Sequence, residues 1–327
     1  MPGEFELIER FFRTPAAGQA RGDVILGIGD DAALLQVPPG MQLVAALDTL
    51  VEGRHFPRGT SAESLGHRVL AVNLSDLAAM GAEPAWFLLS LTMPEARPDF
   101  LEGMARGLLN LALEHGIALV GGDTTAGPLS VSVQVLGLVQ PGKALTRHAA
   151  KPGDLLFVSG TPGDAAAGLA LEMGGLPAPH LTAAQQHYLR QRFLYPAPRV
   201  ALGQALQGLA SACIDVSDGL AADAGKLAQA SGCGVSLDAD RLPISTGLAA
   251  QLGGGAQRAA LTGGDDYELC FTVPVSRAAE VPARLSNVKC AVTCIGIIEK
   301  AAGVRASSGG APVDFDLRGY DHFSSQG

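Results

Sequence analysis

Apolar runs that stop on an aspartate recur along this chain, and they limit what it can fold into. Asp30 and Asp31 follow GIG, Asp48 closes QLVAALD, Asp76 lies in NLSDLAAMGAEP, Asp123 closes IALVGGD, and Asp215 and Asp218 fall in IDVSDGL. A short apolar run reads as a buried strand. A carboxylate cannot enter a core unpaired, so each acid is expected at a core edge, at a strand end or turn. Singly, such an aspartate is a turn former or a helix N-cap; Asp154 and Asp218, before Gly219, suit turns. Brought together, the seven would repel one another and require cations. Oxygen donors suit Mg²⁺, which keeps part of its water and is shared with substrate phosphates. Phosphoryl transfer uses that equipment, because it needs charge neutralisation and in-line positioning more than covalent chemistry. Gly27, Gly29, Gly121 and Gly122 would let backbone N–H groups approach phosphate.

Between the acids, periodicity predicts a helix over 4–13 (Phe5, Ile8 and Phe12 on one face), a strand over 42–48 and a helix from Thr60. Thr60 and Glu63 form a capping-box pattern, and Leu65, Val69, Val72, Leu77 and Met80 continue the stripe until Gly81 and Pro84 stop it. A strand over 86–93, a helix over 98–115 and strands over 117–123 and 129–139 follow. HAAKPGD, 148–154, reads as a linker, giving domains 1–148 and 149–327. The second half predicts a strand over 154–160, helices near 163–173, 182–193 and 197–210, a strand over 211–220 ending in a tight turn, and further strands in VSLDADRLP, YELCFTV and CAVTCIGII. Mixed elements in both halves leave α/β and α+β open.

Composition removes several function classes. The 327 residues are 47% hydrophobic and 17% charged, enough for two sizeable cores. A net charge of −9 with no basic stripe argues against nucleic-acid binding, although acidity alone also serves solubility. No run of 18 uncharged apolar residues predicts a membrane span. MPGEFELIERFFR lacks the basic flank and apolar run of a signal peptide. Five cysteines without a CxxC fit a reducing compartment, so the cytoplasm is expected. Two phosphate-binding look-alikes fail. Residues 137–144 imitate a P-loop but place Ala144 where a Mg²⁺-binding hydroxyl belongs, and Gly27–Ala32 sets two carboxylates where a pyrophosphate would approach. Protein-kinase HRD and DFG patterns are missing.

Longer segments carry a resemblance. GEFELIERFF, GIGDDAALL, DTLVEGRHF, AVNLSDLAAMGAEPAWFLLSLTMP, GGDTTAGPL, ALTRHAAKPGD, GTPGDAAAGLAL, IDVSDGL, GGDDYELCFTV and GYDHF span nearly the whole chain. In this order they resemble the thiamine-monophosphate kinase family. NLSDLAAMGA alone marks only the wider aminoimidazole-ribotide synthetase-like superfamily of ATP-using enzymes. The resemblance implies an α+β fold. Its N-terminal mixed sheet, backed by helices, would be half of a barrel completed by a twin in a homodimer. A larger C-terminal α/β domain would close the substrate site. The implied reaction passes the γ-phosphoryl group of ATP directly to thiamine monophosphate, giving thiamine diphosphate in a Mg²⁺-dependent step, with K⁺ as a candidate further cation.

Carried over residue by residue, Asp30 or Asp31, Asp48, Asp76, Asp123, Asp215 and Asp218 match Mg²⁺-binding aspartates. Asp48, Asp76 and Asp123 are the ones on which turnover is expected to depend most. Gly122 and Asp123 match the nucleotide-phosphate loop, Arg147 an ATP-contacting arginine and Ser217 a nucleotide-contacting hydroxyl. His55, Glu268 and either Tyr320 or Phe323 match the thiamine-phosphate site. A carboxylate or aromatic face suits a thiazolium cation, and a histidine can donate to phosphate. Taken alone, His55 reads as a satisfied surface histidine, Glu268 as an exposed strand position and the two aromatics as packing. One departure stands out. The resembled family carries Ser or Thr at the two positions before Asp48, where this chain has Ala46 and Leu47. Weaker Mg²⁺ binding there is expected, and the rival reading is an ATP-binding regulatory protein without turnover. Selenophosphate synthetases need a reactive cysteine near the N-terminus, whereas the first here is Cys213.

Overall fold

Alternating strands and helices build two sheet-and-helix units in the computed structural model, which describes residues 4–13, 21–175, 180–313, 316, 317 and 319. One unit comprises 1–77 and 82–144, the other 78–81 and 145–327. The division falls at Ala144–Leu145, a few residues before the 148 expected from the linker. The reason is backbone pairing: Leu145 N–H donates to Met80 O and Cys213 N–H donates to Thr146 O, both at 3.0 Å.

The first unit contains α1 (Glu4–Phe11), β1 (Val24–Leu26), β2 (Leu34–Leu35), β3 (Gln42–Val51), α2 (Ala62–Ala79), β4 (Glu83–Met93), α3 (Pro98–His115), β5 (Ala118–Ala126) and β6 (Ser130–Val139). Strands run β3–β6–β4–β5, with β3 and β5 on the edges. Only β4 and β5 are parallel, joined through α3. Val131, Val133 and Val135 alternate with half-buried residues along β6, as one buried face requires. On that face Asp48 N–H donates 2.9 Å to Asn73 Oδ1 of α2. The loop after β6 that imitates a P-loop is a turn, closed by Lys143 N–H on Gln140 O with Gly142 at φ 73°.

Helices α2 and α3 meet backbone to backbone. A Cβ on Gly66 would stand 2.0 Å from Met104 O, and one on Gly107 would stand 1.9 Å from Glu63 O. No side chain fits at either contact. Arg106 clips the pair with a 2.7 Å bond to Glu63. The cap of α2 is Ser61, not Thr60. Ser61 Oγ accepts Ser64 N–H at 3.1 Å, while the Thr60 hydroxyl turns back to Pro57 O at 2.7 Å. With Glu63 engaged by Arg106, the expected capping box gives way to a serine cap one residue on.

The hairpin β1–β2 packs over one end of the sheet around Trp86, the only tryptophan. Arg21 grips Asp23 through two bonds of 3.0 and 2.9 Å, and the Trp86 indole N–H donates to Asp23 at 3.1 Å. Arg21 also bonds Pro84 O and Gly116 O. Three chain segments are thereby tied through the Arg21–Asp23 pair.

The second unit contains β7 (Leu155–Ser159), α4 (Asp164–Glu172), α5 (Ala183–Leu194), α6 (Val200–Leu206), β8 (Ala212–Val216), α7 (Leu220–Ala230), β9 (Gly234–Asp238), α8 (Thr246–Leu252), α9 (Ala256–Thr262), β10 (Glu268–Val273), α10 (Val281–Arg284), β11 (Val292–Glu299), β12 (Gly303–Ser308) and β13 (Ala311–Pro312). Its sheet runs β13–β12–β9–β11–β7–β10–β8, with β9 and β12 parallel. Leu156, Val158, Ile214, Val216, Val235, Leu237 and Ile295 form its core with Leu220, Ala224 and Leu227 of α7. No helix among the described residues is long and apolar enough to cross a membrane.

The clasp around Trp86 gives a first prediction. The bond to Arg21 holds the Asp23 carboxyl below its ordinary range, against the opposing effect of burial. Its stabilisation is therefore present above the unfolded carboxylate pKa and is lost as pH falls through the lowered folded value. Asp23→Asn should cost about 1–3 kcal/mol near neutral pH and should lose less stability than wild type on acidification. Urea unfolding followed by Trp86 fluorescence, repeated over the acid range, reads both effects.

Candidate active site

The first unit holds five of the expected acids. Asp30 and Asp31 lie in the exposed loop between β1 and β2, where Asp31 N–H donates 2.8 Å to Asp30 Oδ1. The Arg13 guanidinium lies against Gly29 just before them, 3.3 Å from where a Cβ would stand. Asp48 sits within β3, held by the bond from its N–H to Asn73. Asn73 is fully buried and donates 2.8 Å to Val69 O. Asp76 is one turn further along α2, so it is helical and not at the strand end or turn expected for it. The apolar stripe of α2 simply continues past it. One turn apart, Asn73 and Asp76 share a side of the helix, and Asn73 fastens that side to β3.

Asp123 lies in β5, in register with Ser90 of β4. Gly122 before it is dictated by packing, since a Cβ there would come 1.9 Å from Leu89 O. Asp48 and Asp123 thus stand on opposite edge strands, three strand spacings or roughly 14 Å apart. His55 follows a tight turn: Val51 N–H donates 3.0 Å to His55 Nδ1. An accepting Nδ1 places the proton of the neutral ring on Nε2.

In the second unit, Asp215 is buried in β8, and Ser217 and Asp218 form the turn into α7. Asp223 of α7, which the sequence reading missed, organises that turn. Its Oδ2 accepts Ser217 N–H at 3.0 Å and Asp218 N–H at 2.9 Å, while Lys226 bonds both Asp218 and Asp223. Burial raises the Asp223 carboxyl in spite of Lys226. Arg147 is exposed just after Thr146, whose carbonyl takes the Cys213 N–H of β8, and its own carbonyl accepts the Ser231 hydroxyl at 2.8 Å.

Glu268 proves to be wholly buried, and not the exposed strand position that its sequence allowed. Arg192 and Arg199 each bond its carboxylate at 2.7 Å, and Ser159 adds its hydroxyl. Burial works to raise this carboxyl, yet the guanidiniums keep it below its ordinary value. Its oxygens already face two guanidiniums. Gly160 makes room for it, since a Cβ there would overlap the carboxylate at 2.0 Å. The preceding Asp265 and Tyr267 have φ of 69° and 51°, conformations that store strain and tend to mark functional loops. Their N–H groups donate to Ser217 O and Val216 O, each at 2.8 Å, stapling this loop to the 216–218 turn. Asp266 is buried beneath it and pushed up to about 8, chiefly by burial, while accepting Gly163 and Ala165 N–H. Tyr320 and Phe323 lie outside the described residues.

Among the described residues, no three acids, histidines or cysteines already form a metal cage. The donor set is nonetheless hard oxygen, dispersed, and apart from the buried Asp215 at least partly exposed. That suits an ion which keeps its waters and completes its shell on phosphate.

The Glu268 nest gives a second prediction. Glu268→Gln should destabilise the protein by about 3–5 kcal/mol, because two largely enclosed guanidiniums, 11% and 18% exposed, lose their buried charge partner. Calorimetry should show this drop, whereas Asp265→Asn should leave the melting temperature nearly unchanged.

Both halves of the chain match known protein families. The AIR synthase related protein N-terminal domain family matches residues 29–139, and the corresponding C-terminal domain family matches 151–308. The thiamine-monophosphate kinase of Salmonella typhimurium is 47% identical over 325 residues, 99% of each chain. A crystal structure of thiamine-monophosphate kinase from Stenotrophomonas maltophilia K279a is 47% identical with a TM-score of 0.85, covering 95% of this chain and 98% of that one. AaThiL complexed with AMPPCP and TMP is 32% identical with a TM-score of 0.77, covering 98% and 97%. With full-length identity of this order and both domains matched, the chain belongs to the thiamine-monophosphate kinase family.

Proposed function

We propose that this chain transfers the γ-phosphoryl group of ATP to thiamine monophosphate, giving ADP and thiamine diphosphate, with Mg²⁺ as the required cation. The observation that carries the reading is the full-length identity to thiamine-monophosphate kinases, on a chain whose apolar segments repeatedly end in carboxylates. Bound Mg²⁺ would neutralise the phosphate charges and align the reacting oxygens. Asp30 or Asp31, Asp48, Asp76 and Asp123 of the first unit, and Asp215 and Asp218 of the second, are the proposed ligands. The Asp48 bond to Asn73 fixes one of them before any ion arrives. Arg147 offers a guanidinium fork to the nucleotide phosphates, Gly122 and Asp123 of β5 are the proposed nucleotide-phosphate segment of the first unit, and Ser217 offers a hydroxyl.

His55 would donate Nε2–H to the substrate phosphate. Asp265, half-buried in a strained loop, suits the thiazolium cation better than Glu268, which spends its charge on Arg192 and Arg199. Tyr320 or Phe323 would add an aromatic face. The acceptor phosphate is already ionised near neutral pH, so no strong general base is required.

A homodimer through the first unit belongs to this reading. Its support is edge strand β3, which exposes Leu43 (48%), Leu47 (60%) and Val51 (36%), more apolar edge than a solvated strand normally shows. Leu47→Lys should shift the protein towards monomer in sedimentation. Cytoplasmic residence and a supporting K⁺ complete the proposal.

The deciding experiment follows thiamine diphosphate formation from ATP and thiamine monophosphate, with and without Mg²⁺, with free thiamine as control acceptor. Mg²⁺-dependent product from the monophosphate alone is expected, and Asp123→Asn should lower kcat by at least about a hundredfold. ATP binding without product would instead favour the regulatory reading, for which Ala46 and Leu47, neither with a side-chain oxygen, are the specific argument.

A further inference from the structure

The turn between β8 and α7 carries a cation of its own. Lys226 Nζ bonds the Asp218 carboxylate and lies 2.7 Å from Asp223 Oδ1. The two arms of this bridge differ in kind. Asp223 is 1% exposed and its other oxygen holds the Ser217 and Asp218 N–H groups. A carboxylate so buried needs a permanent counter-charge, and Lys226, three residues on along α7, is placed to supply it. The arm to Asp218 is open: the side chains are 43% and 32% exposed. Such a bond is worth little in water and exchanges readily with ions.

We propose that Lys226 is a tethered cation that occupies Asp218 until Mg²⁺ displaces it, and so sets the Mg²⁺ concentration at which this turn accepts metal. The inference rests on Asp218 being a Mg²⁺ ligand, as proposed above. Ammonium and metal compete for the same carboxylate oxygens, but only the ammonium is held in place by the helix. When Mg²⁺ arrives, Lys226 keeps its bond to Asp223, so the turn does not loosen as Asp218 changes partner. Lys226 is thus a positioning residue: it holds Asp218 ready and pre-neutralised, and it tunes metal uptake without serving as a ligand.

Two readouts on the full-length protein test this without relying on turnover. Mg²⁺ is titrated while the melting temperature is followed, in wild type, Lys226→Gln, Lys226→Arg and Asp218→Asn. Lys226→Gln should melt lower without metal and reach half-saturation at about two- to fivefold less Mg²⁺, the range of a partly exposed ion pair. Lys226→Arg should behave like wild type. Amine acylation of the wild-type protein, read by mass spectrometry at each of its five lysines, should increase at Lys226 as Mg²⁺ is added; this arm stands even if the glutamine variant fails to fold. An unchanged midpoint in Lys226→Gln, or labelling of Lys226 that ignores Mg²⁺, overturns the proposal. A Mg²⁺ response that persists unaltered in Asp218→Asn removes Asp218 from the metal site and the inference with it.

Discussion

Buried carboxylates held by fixed partners are the interaction on which the C-terminal unit depends. Glu268 lies between Arg192 and Arg199, joining the loop before β10 to α5 and the start of α6. Asp266 holds the first N–H groups of α4, and Asp164 receives the hydroxyls of Tyr188 and Ser245 at 2.9 and 2.5 Å. Asp223 fixes the turn after β8. Each acid bonds a segment distant in sequence or a loop that would otherwise be floppy. Leaving any one unsatisfied would cost more than its partner bonds return singly. The strained residues Asp265 and Tyr267 persist because this frame over-determines them.

The same logic runs differently in the first unit. There the acids of the candidate site are half-buried or exposed, and the frame beneath them is apolar and close-packed. Within that frame Asn73 is a buried amide that spends its oxygen on the backbone of Asp48 and so locks α2 to β3 at that residue. The hairpin before β3, which carries Asp30 and Asp31, is tied down by the Asp23 clasp. Rigid support and open carboxylates are what a site completed by hydrated cations and substrate phosphates requires.

Local pattern carried the elements well, and it carried the acids only as types. Helix α3 occupies the 98–115 read from its periodicity, because Pro98 and Gly116 bound an uninterrupted stripe. The rule that an acid after an apolar run marks a strand end or turn fails at Asp76, which lies inside the helix that the stripe from Leu65 to Met80 predicts. The cap of α2 moved from Thr60 to Ser61 for a reason found on α3, where Arg106 claims Glu63. Strand order is not a local property, so nothing near Asp48 or Asp123 indicated that they would occupy opposite edges. Arg192 and Arg199 are 76 and 69 residues from Glu268, and no spacing rule reaches that far. Asp223 and Lys226 could have been found, since an acid and a base three apart on a helix face are readable partners.

The glycine contacts between α2 and α3 bear on how the protein tolerates change. At Gly66 and Gly107 the space of a first side-chain carbon is already filled by a carbonyl oxygen of the other helix. Neither position touches a carboxylate of the candidate site, yet each admits a single amino acid. In a random library scored only for loss of activity, codons 66 and 107 would rank among the most sensitive of the chain. They would be mistaken for chemistry unless soluble yield were scored beside it.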